Sequence, residues 1–303
     1  MSESKPWKLM TQAWDRFWFR EGDPTTLGVI RILAGAIIFY THVVWTFEFH
    51  SFFRADELLS VEHNRQIVDS AFAWSHFHWM SIDTAYYLHF AVLAVMGMFC
   101  LGIFTRITGV LTAFFTISYA HRATGATFGL DQINVMLAFY LAIGPSGAAF
   151  SLDRWWQSKR TEEKTPARFS VGAHLTTRLI QVHLSIIYLF AGFSKLLGSS
   201  WWNGEAIWGA VANAEYQTLD LTWLAAYPVL LSLITHFALV WEVSYVFLVW
   251  NRYARPFVIG IAFCIHLGIG IGMGMMEFGL IMAVANLSFV KCSVLRTWMD
   301  SKS

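Results

Sequence analysis

Eight apolar runs decide what this chain can fold into. They cover approximately residues 26–47, 85–104, 107–122, 131–150, 174–197, 228–250, 255–274 and 277–291. A helix needs ~17–25 such residues to cross a hydrocarbon core. Inside lipid every backbone N–H and C=O must be satisfied by the segment itself, which a helix achieves. The expected fold is therefore an all-α integral membrane protein, with about eight transmembrane helices plus amphipathic interfacial helices. Composition agrees: 56% of the 303 residues are hydrophobic and 14% charged, against about 25% charged in soluble domains. Aromatics make up 17%, with 15 Trp, as interfacial belts require. The expected partner is the lipid bilayer. A net charge of +1 gives no reason to expect nucleic acid.

Lys and Arg orient the runs. With the N-terminus placed in the cytoplasm, fifteen fall on inside segments and only Arg54, Arg65 and Arg122 outside, while Arg31, Arg178 and Lys195 lie within runs. This bias predicts a multi-pass protein of a bacterial-type inner (plasma) membrane, both termini cytoplasmic. Residues 1–24 read as an interfacial helix, because Trp7, Met10, Trp14, Phe17 and Trp18 recur at helical spacing opposite Lys8, Arg16 and Arg20. Asp23-Pro24 breaks it and starts the first span. Residues 25–292 form the transmembrane domain, with 151–170 as a solvated cytoplasmic linker, and 293–303 are a cytoplasmic tail. The outer segment 48–84 reads as one or two amphipathic surface helices. The Trp-rich segment 198–227, without Lys or Arg, reads as a loop at headgroup depth. Cys100, Cys264 and Cys292 form no CxxC pair and read as packed thiols. The first apolar run is too long for a signal-peptide core, so no cleavable signal is expected.

Ionisable groups inside spans are costly and mark function first. In the fifth run His174, Gln181, Tyr188 and Lys195 recur every seven residues. A helix drifts only about 20° per heptad, so the four share one stripe, which must face other helices or a cavity. Lys195, near the outer end, is either a lysine whose stem snorkels to the headgroups or a desolvated amine able to act as a base. His236 and Glu242 in the sixth run, His266 in the seventh, and Arg31 and His42 in the first read as buried Glu–His or Glu–Arg contacts between helices, or as further members of a site. Gly260, Gly268 and Gly272 read as small-residue helix packing, with a glycine-lined groove as the alternative. His76 and His78, near His63 and Asp83, are two apart and do not share a helix face. No metal site is expected.

The stretch Tyr188-Leu-Phe-Ala-Gly192-Phe-Ser-Lys195 followed by Trp201-Trp202-Asn203-Gly204 resembles the YxxAGxxK…W..G signature of the vitamin K-dependent γ-carboxylases and their bacterial relatives, which share the horizontally transferred transmembrane (HTTM) domain. Asp23-Pro24 with Arg31, Leu101-Gly102 with Thr105-Arg106-Ile107, and His266 leading to Phe278 follow in order. The resemblance covers about residues 20–290. It implies that Lys195 is the base that deprotonates a vitamin K-type hydroquinone on the outer side. The resulting anion reacts with O2, and the strong base so formed removes a proton from a substrate Glu before CO2 adds. Tyr188, Gln181, Glu242, His266 and Trp202 are the expected substrate-binding residues. Where the carboxylases carry an assisting histidine, this chain has Leu130 with Asp131 beside it, and Asp131 is expected to take a related role. The chain also ends soon after the eighth run, without the large lumenal domain with which carboxylases hold peptides. The expected function is therefore quinol binding with an O2-dependent epoxidase-like or carboxylase-like reaction, a secreted peptide being one candidate substrate. The rival expectation is a non-catalytic maturation or immunity factor that binds a lipid or peptide.

Overall fold

A computed structural model describes residues 6–54, 74–161, 168–215 and 218–300. Among them the chain is helical, with a single antiparallel bridge between Gly22 and Ser170. The main helices are α1 (Pro6–Trp18), α2 (Thr25–Phe47), α3 (Ile82–Leu101), α4 (Thr105–Arg122), α5 (Gly129–Ile143), α6 (Leu152–Thr161), α7 (Val171–Leu196), α8 (Pro228–Leu248), α9 (Arg255–Gly272), α10 (Met276–Asn286) and α11 (Cys292–Asp300).

Each apolar run coincides with a helix, but among the described residues only five helices, α2, α3, α7, α8 and α9, are long and apolar enough to cross a membrane. The other three have local reasons. In α4, Thr105, Arg106, Thr108, Thr112, Thr116, Ser118, His121 and Arg122 dilute the apolar character. The 131–150 run is cut at Gly144-Pro145, so α5 has 15 residues. The last run becomes an 11-residue helix that tightens into a 3₁₀ turn, Leu287–Phe289.

The chain divides into two compact units, residues 1–180 with 291–303, and residues 181–290. The division falls inside α7. The expected linker 151–170 is itself helical through Thr161, with Trp155 and Trp156 exposed; residues 162–167 lie outside the described ones. Most of the outer segment expected to be amphipathic, with His63 and Arg65, also lies outside them.

In the first unit Ile30, Ile38, Met96, Phe99, Leu137 and Leu141 are fully buried between α2, α3, α4 and α5. Arg31 is buried among them; among the described residues it forms no salt bridge, and the Asp153 carboxylate acts on it only through its charge. Its Nη1 donates to the carbonyl of Ser146 at 2.7 Å, and its Nη2 to that of Phe150. Phe150 has φ +49°, a backbone strain a bulky residue adopts only when its surroundings impose it. Gly102, at φ +76°, ends α3 where an added Cβ would lie 3.0 Å from Arg31 Cζ. The Leu101-Gly102 pair and Arg31 thus belong to one construction. Beyond it, the Asp153 carboxylate accepts from the amides of Phe104 and Thr105, both at 2.8 Å, and from the Thr105 hydroxyl at 2.7 Å. It thereby caps the start of α4.

At the start of α2, Asp23 accepts from Thr25 N at 2.9 Å and pairs with Arg296 of α11 at 2.7 Å. Trp7, Met10 and Trp14 of α1 are exposed along one side.

In the second unit α9 packs on α10 through other glycines than those expected. Gly260 and Gly268 face open space. An added Cβ would instead collide at Gly279, against the His266 carbonyl, and sit 3.2 Å from Met276 at Gly270. Gly260 and Gly268 lie on the exposed side of α9, while Gly272 is half-buried with an added Cβ 3.4 Å from Leu221, so the pattern does not mark the seam with α10.

Candidate functional site

The site grows from one close helix approach. An added Cβ on Gly192 of α7 would lie 2.9 Å from Val243 Cγ2 and 3.2 Å from Val243 N. Only glycine lets α8 come this near, and the approach sets Lys195, one turn further on, beside Glu242. Their Nζ and Oε2 atoms are 2.7 Å apart, with the side chains 28% and 14% exposed. The pair is reachable from outside the fold.

Trp201 covers the ammonium with its ring centroid 5.4 Å from Nζ, a favourable cation–π distance. Trp202 donates its indole N–H to the Leu196 carbonyl at 2.8 Å and so ties the loop to the end of α7, while its ring stays exposed. Gly204, at φ +78°, turns that loop back against Ser232 of α8, and Thr235 Oγ1 donates to its carbonyl at 3.1 Å. The motif residues Gly192, Lys195, Trp201, Trp202 and Gly204 therefore build one corner.

Two turns back along α7, Tyr188 stands in a buried polar network. Its hydroxyl is 2.7 Å from His266 Nε2 and accepts from Asn286 Nδ2 at 3.0 Å. The Tyr245 hydroxyl donates to Asn286 Oδ1 at 2.7 Å. Tyr188 and His266 Nε2 share one proton across this contact, in the direction set by the imidazole tautomer, and the ring's other nitrogen is Nδ1. That Nδ1 is buried without a hydrogen-bond partner. The Tyr188 and Tyr245 rings stack at 3.9 Å, and Trp241 meets Tyr188 edge-on at 5.4 Å. Glu242 lies within electrostatic reach of Tyr188, and Lys195 of His266. A turn pair further on, Gln181 Nε2 donates to the Ser288 carbonyl at 2.6 Å. Gln181, Tyr188 and Lys195 thus form three polar tiers, each about 10.5 Å along the helix from the next.

The structure distributes the remaining residues elsewhere. His174, the fourth member of the stripe, belongs to the first unit, where its Nε2 meets the Phe17 carbonyl at 2.8 Å. Asp131 also belongs to the first unit and accepts from Phe128 N at 3.0 Å at the start of α5. It lines a small cavity with His42, Thr116, Tyr119 and Asn134. His236 Nδ1 donates to its own helix at Ser232 O, 2.8 Å away.

Three members of the network, Asn286, Tyr245 and Trp241, were not singled out from sequence. Two carried a signal: Asn286 is a polar residue in an apolar run, and Tyr245 follows Glu242 by three on one helix face.

Among the described residues no three His, Cys, Asp or Glu side chains cluster to hold a metal ion. His76 instead bonds through Nδ1 to Ser118 Oγ at 2.6 Å.

A sequence model of the HTTM domain matches residues 19–294. No curated protein and no solved structure matches the chain.

Proposed function

Because the chain belongs to the HTTM domain family, we propose that it is a membrane-embedded quinol-binding protein of the vitamin K-dependent γ-carboxylase-like kind, with Lys195 as its base. The single observation that carries this reading is the Lys195–Glu242 pair at 2.7 Å, half-open to the outside, beside the buried Tyr188–His266–Asn286–Tyr245 network.

A phenol loses its proton reluctantly, near pH 10, and an ordinary lysine is already protonated at neutral pH. A paired ammonium and carboxylate resolve this together. Covering the pair with an apolar quinol ring strips water from both charges, which favours the form with the proton on Glu242 and a neutral amine on Lys195. That amine takes the phenolic proton, and the ammonium so formed holds the phenolate by charge. Net charge in the site is unchanged by the transfer. Tyr188 and His266 orient the ring from below, and Trp201 and Trp202 line the approach. The anion then reacts with O2. One quinol and one O2 give one epoxide and one water, or one quinone and one hydrogen peroxide. Addition of CO2 to a carbanion of a secreted peptide is the carboxylase-like extension of the same chemistry.

In this reading the long helices α2, α3, α7, α8 and α9 cross, and the shorter α4, α5 and α10 complete about eight passes together with the turns that flank them, with both termini cytoplasmic in a bacterial-type plasma membrane and Lys195 near the outer face. The Lys/Arg asymmetry supports this orientation.

One observation favours a second reading. The Lys195–Glu242 pair bridges α7 and α8, so it also suits a strut in a non-catalytic maturation or immunity factor with a lipid or peptide partner.

The test is turnover of reduced vitamin K, menaquinol and ubiquinol by the purified protein in detergent with O2. Loss of Lys195 as a base is expected to lower turnover by about 10²–10⁴-fold in Lys195→Ala. The double variant Lys195→Ala/Glu242→Gln, which leaves no unpaired charge, is expected to fold and remain inactive. A well-folded wild type that oxidises none of the three quinols sinks the catalytic reading and leaves the second.

A further inference from the structure

We propose that the first unit carries a binding groove for the phosphodiester headgroup of an anionic phospholipid, between α6 and the turns at 103–107 and 144–148. This inference is independent of the quinol reading. The groove has a volume of about 780 Å³ and is lined by Arg106, Arg160, Trp155, Trp156 and the backbone of the Gly144–Ala148 turn. Small-molecule sites commonly occupy roughly 300–1,000 Å³.

Charge complementarity points to an anion. The acidic residue of the lining, Asp153, has its two carboxylate oxygens taken by Phe104 N, Thr105 N and the Thr105 hydroxyl. Arg106 and Arg160, both exposed, supply the remaining charge among the described lining residues. Arg160 lies over the Trp156 ring at 5.8 Å, and Lys159 over Trp155 at 4.3 Å. A guanidinium stacked on its face keeps its N–H edge for two phosphate oxygens. The wall is held in place beforehand: Asp153 N donates to Gly102 O at 2.9 Å, and Arg154 Nη1 to Ala148 O at 2.8 Å.

Apolar surroundings identify the source of the phosphate as lipid. Phe104, Ile107 and Leu152, which also line the groove, are 65%, 64% and 40% exposed. They offer a phospholipid a surface for its glycerol and upper acyl carbons, for which a free phosphate has no use. The groove sits where α4 begins and α5 has just ended, at the ends of apolar helices where Trp and Arg meet headgroups.

Native mass spectrometry of the full chain, released from mixed phosphatidylglycerol and phosphatidylcholine nanodiscs, tests this. Wild type is expected to retain one phosphatidylglycerol in preference to phosphatidylcholine. Each basic residue near a bilayer surface contributes roughly fivefold, so Arg106→Gln/Arg160→Gln is expected to lose about twenty-fivefold of that preference. Arg106→Lys/Arg160→Lys, with an unchanged Tm, is expected to keep most of it. Equal retention of the two lipids by wild type overturns the proposal, as does an undiminished preference in the Gln double variant. Saturable binding of inorganic phosphate by the lipid-free protein, competing with phosphatidylglycerol, overturns the lipid assignment.

Discussion

In the first unit Arg31 and Arg122 are fully buried and donate to backbone carbonyls, those of Ser146 and Phe150 and those of Phe53 and Arg54. In the second, Lys195 keeps 28% of its side chain exposed and faces a carboxylate 2.7 Å away. Carbonyls cannot give up a proton, and these contacts of the two arginines hold the chain together. A lysine–glutamate pair joins two side chains that both exchange protons, and this pair is partly exposed. The polar network below it adds side chain to side chain, Tyr188, His266, Asn286 and Tyr245, where the first unit's arginines use backbone. Burial alone therefore does not single out the cation of the proposed site; there the difference is the nature of the acceptor.

The sharpest way to break this contrast is Arg31→Met. If Arg31 is a strut, its removal strands carbonyls away from water and costs about 2–4 kcal/mol, read as a loss of Tm and of folded yield. An Arg31→Met variant as stable as wild type would refute the structural role.

A smaller effect separates two glycines of the second unit. Gly192→Ala forces a methyl against Val243 and is expected to cost about 1–3 kcal/mol while parting Lys195 from Glu242. Gly268→Ala enters open space and is expected to leave stability unchanged or raise it by up to about 1 kcal/mol of helix propensity. Equal melting of the two variants would remove the close approach as the origin of the site.

The smallest effect lies at Asp153. Burial pushes its carboxyl up, but hydrogen bonds from Thr105 and Phe104, with Arg31 nearby, outweigh it and hold the carboxyl below the usual range. A lowered folded value means that the cap contributes above the ordinary carboxylate range and is lost as pH falls through the folded value. The Tm gap between wild type and Asp153→Asn is expected at neutral pH and should close on acidification. A gap that stays constant with pH would show that the charge is not what caps α4.

Read alone, the sequence determined the helical fold, the approximate position of every apolar helix, and the residues whose burial needs explaining. Apolar length and the cost of a polar group in lipid are local properties, legible residue by residue. Tyr188, Lys195, Glu242 and His266 were visible for that reason. The same reasoning paired Arg31 with a carboxylate and read a packing seam into Gly260 and Gly268, because composition does not say which face a helix turns toward its neighbours. Tertiary structure decided those matters: Gly192, not the glycines of α9, sets the approach that makes the Lys195–Glu242 pair. Tyr188 finds Asn286 and Tyr245 from segments about 100 and 57 residues distant in sequence, and Asp131 and His174 fall in the other unit. Partnership between side chains depends on distances across helices, and spacing along a single helix holds no record of them.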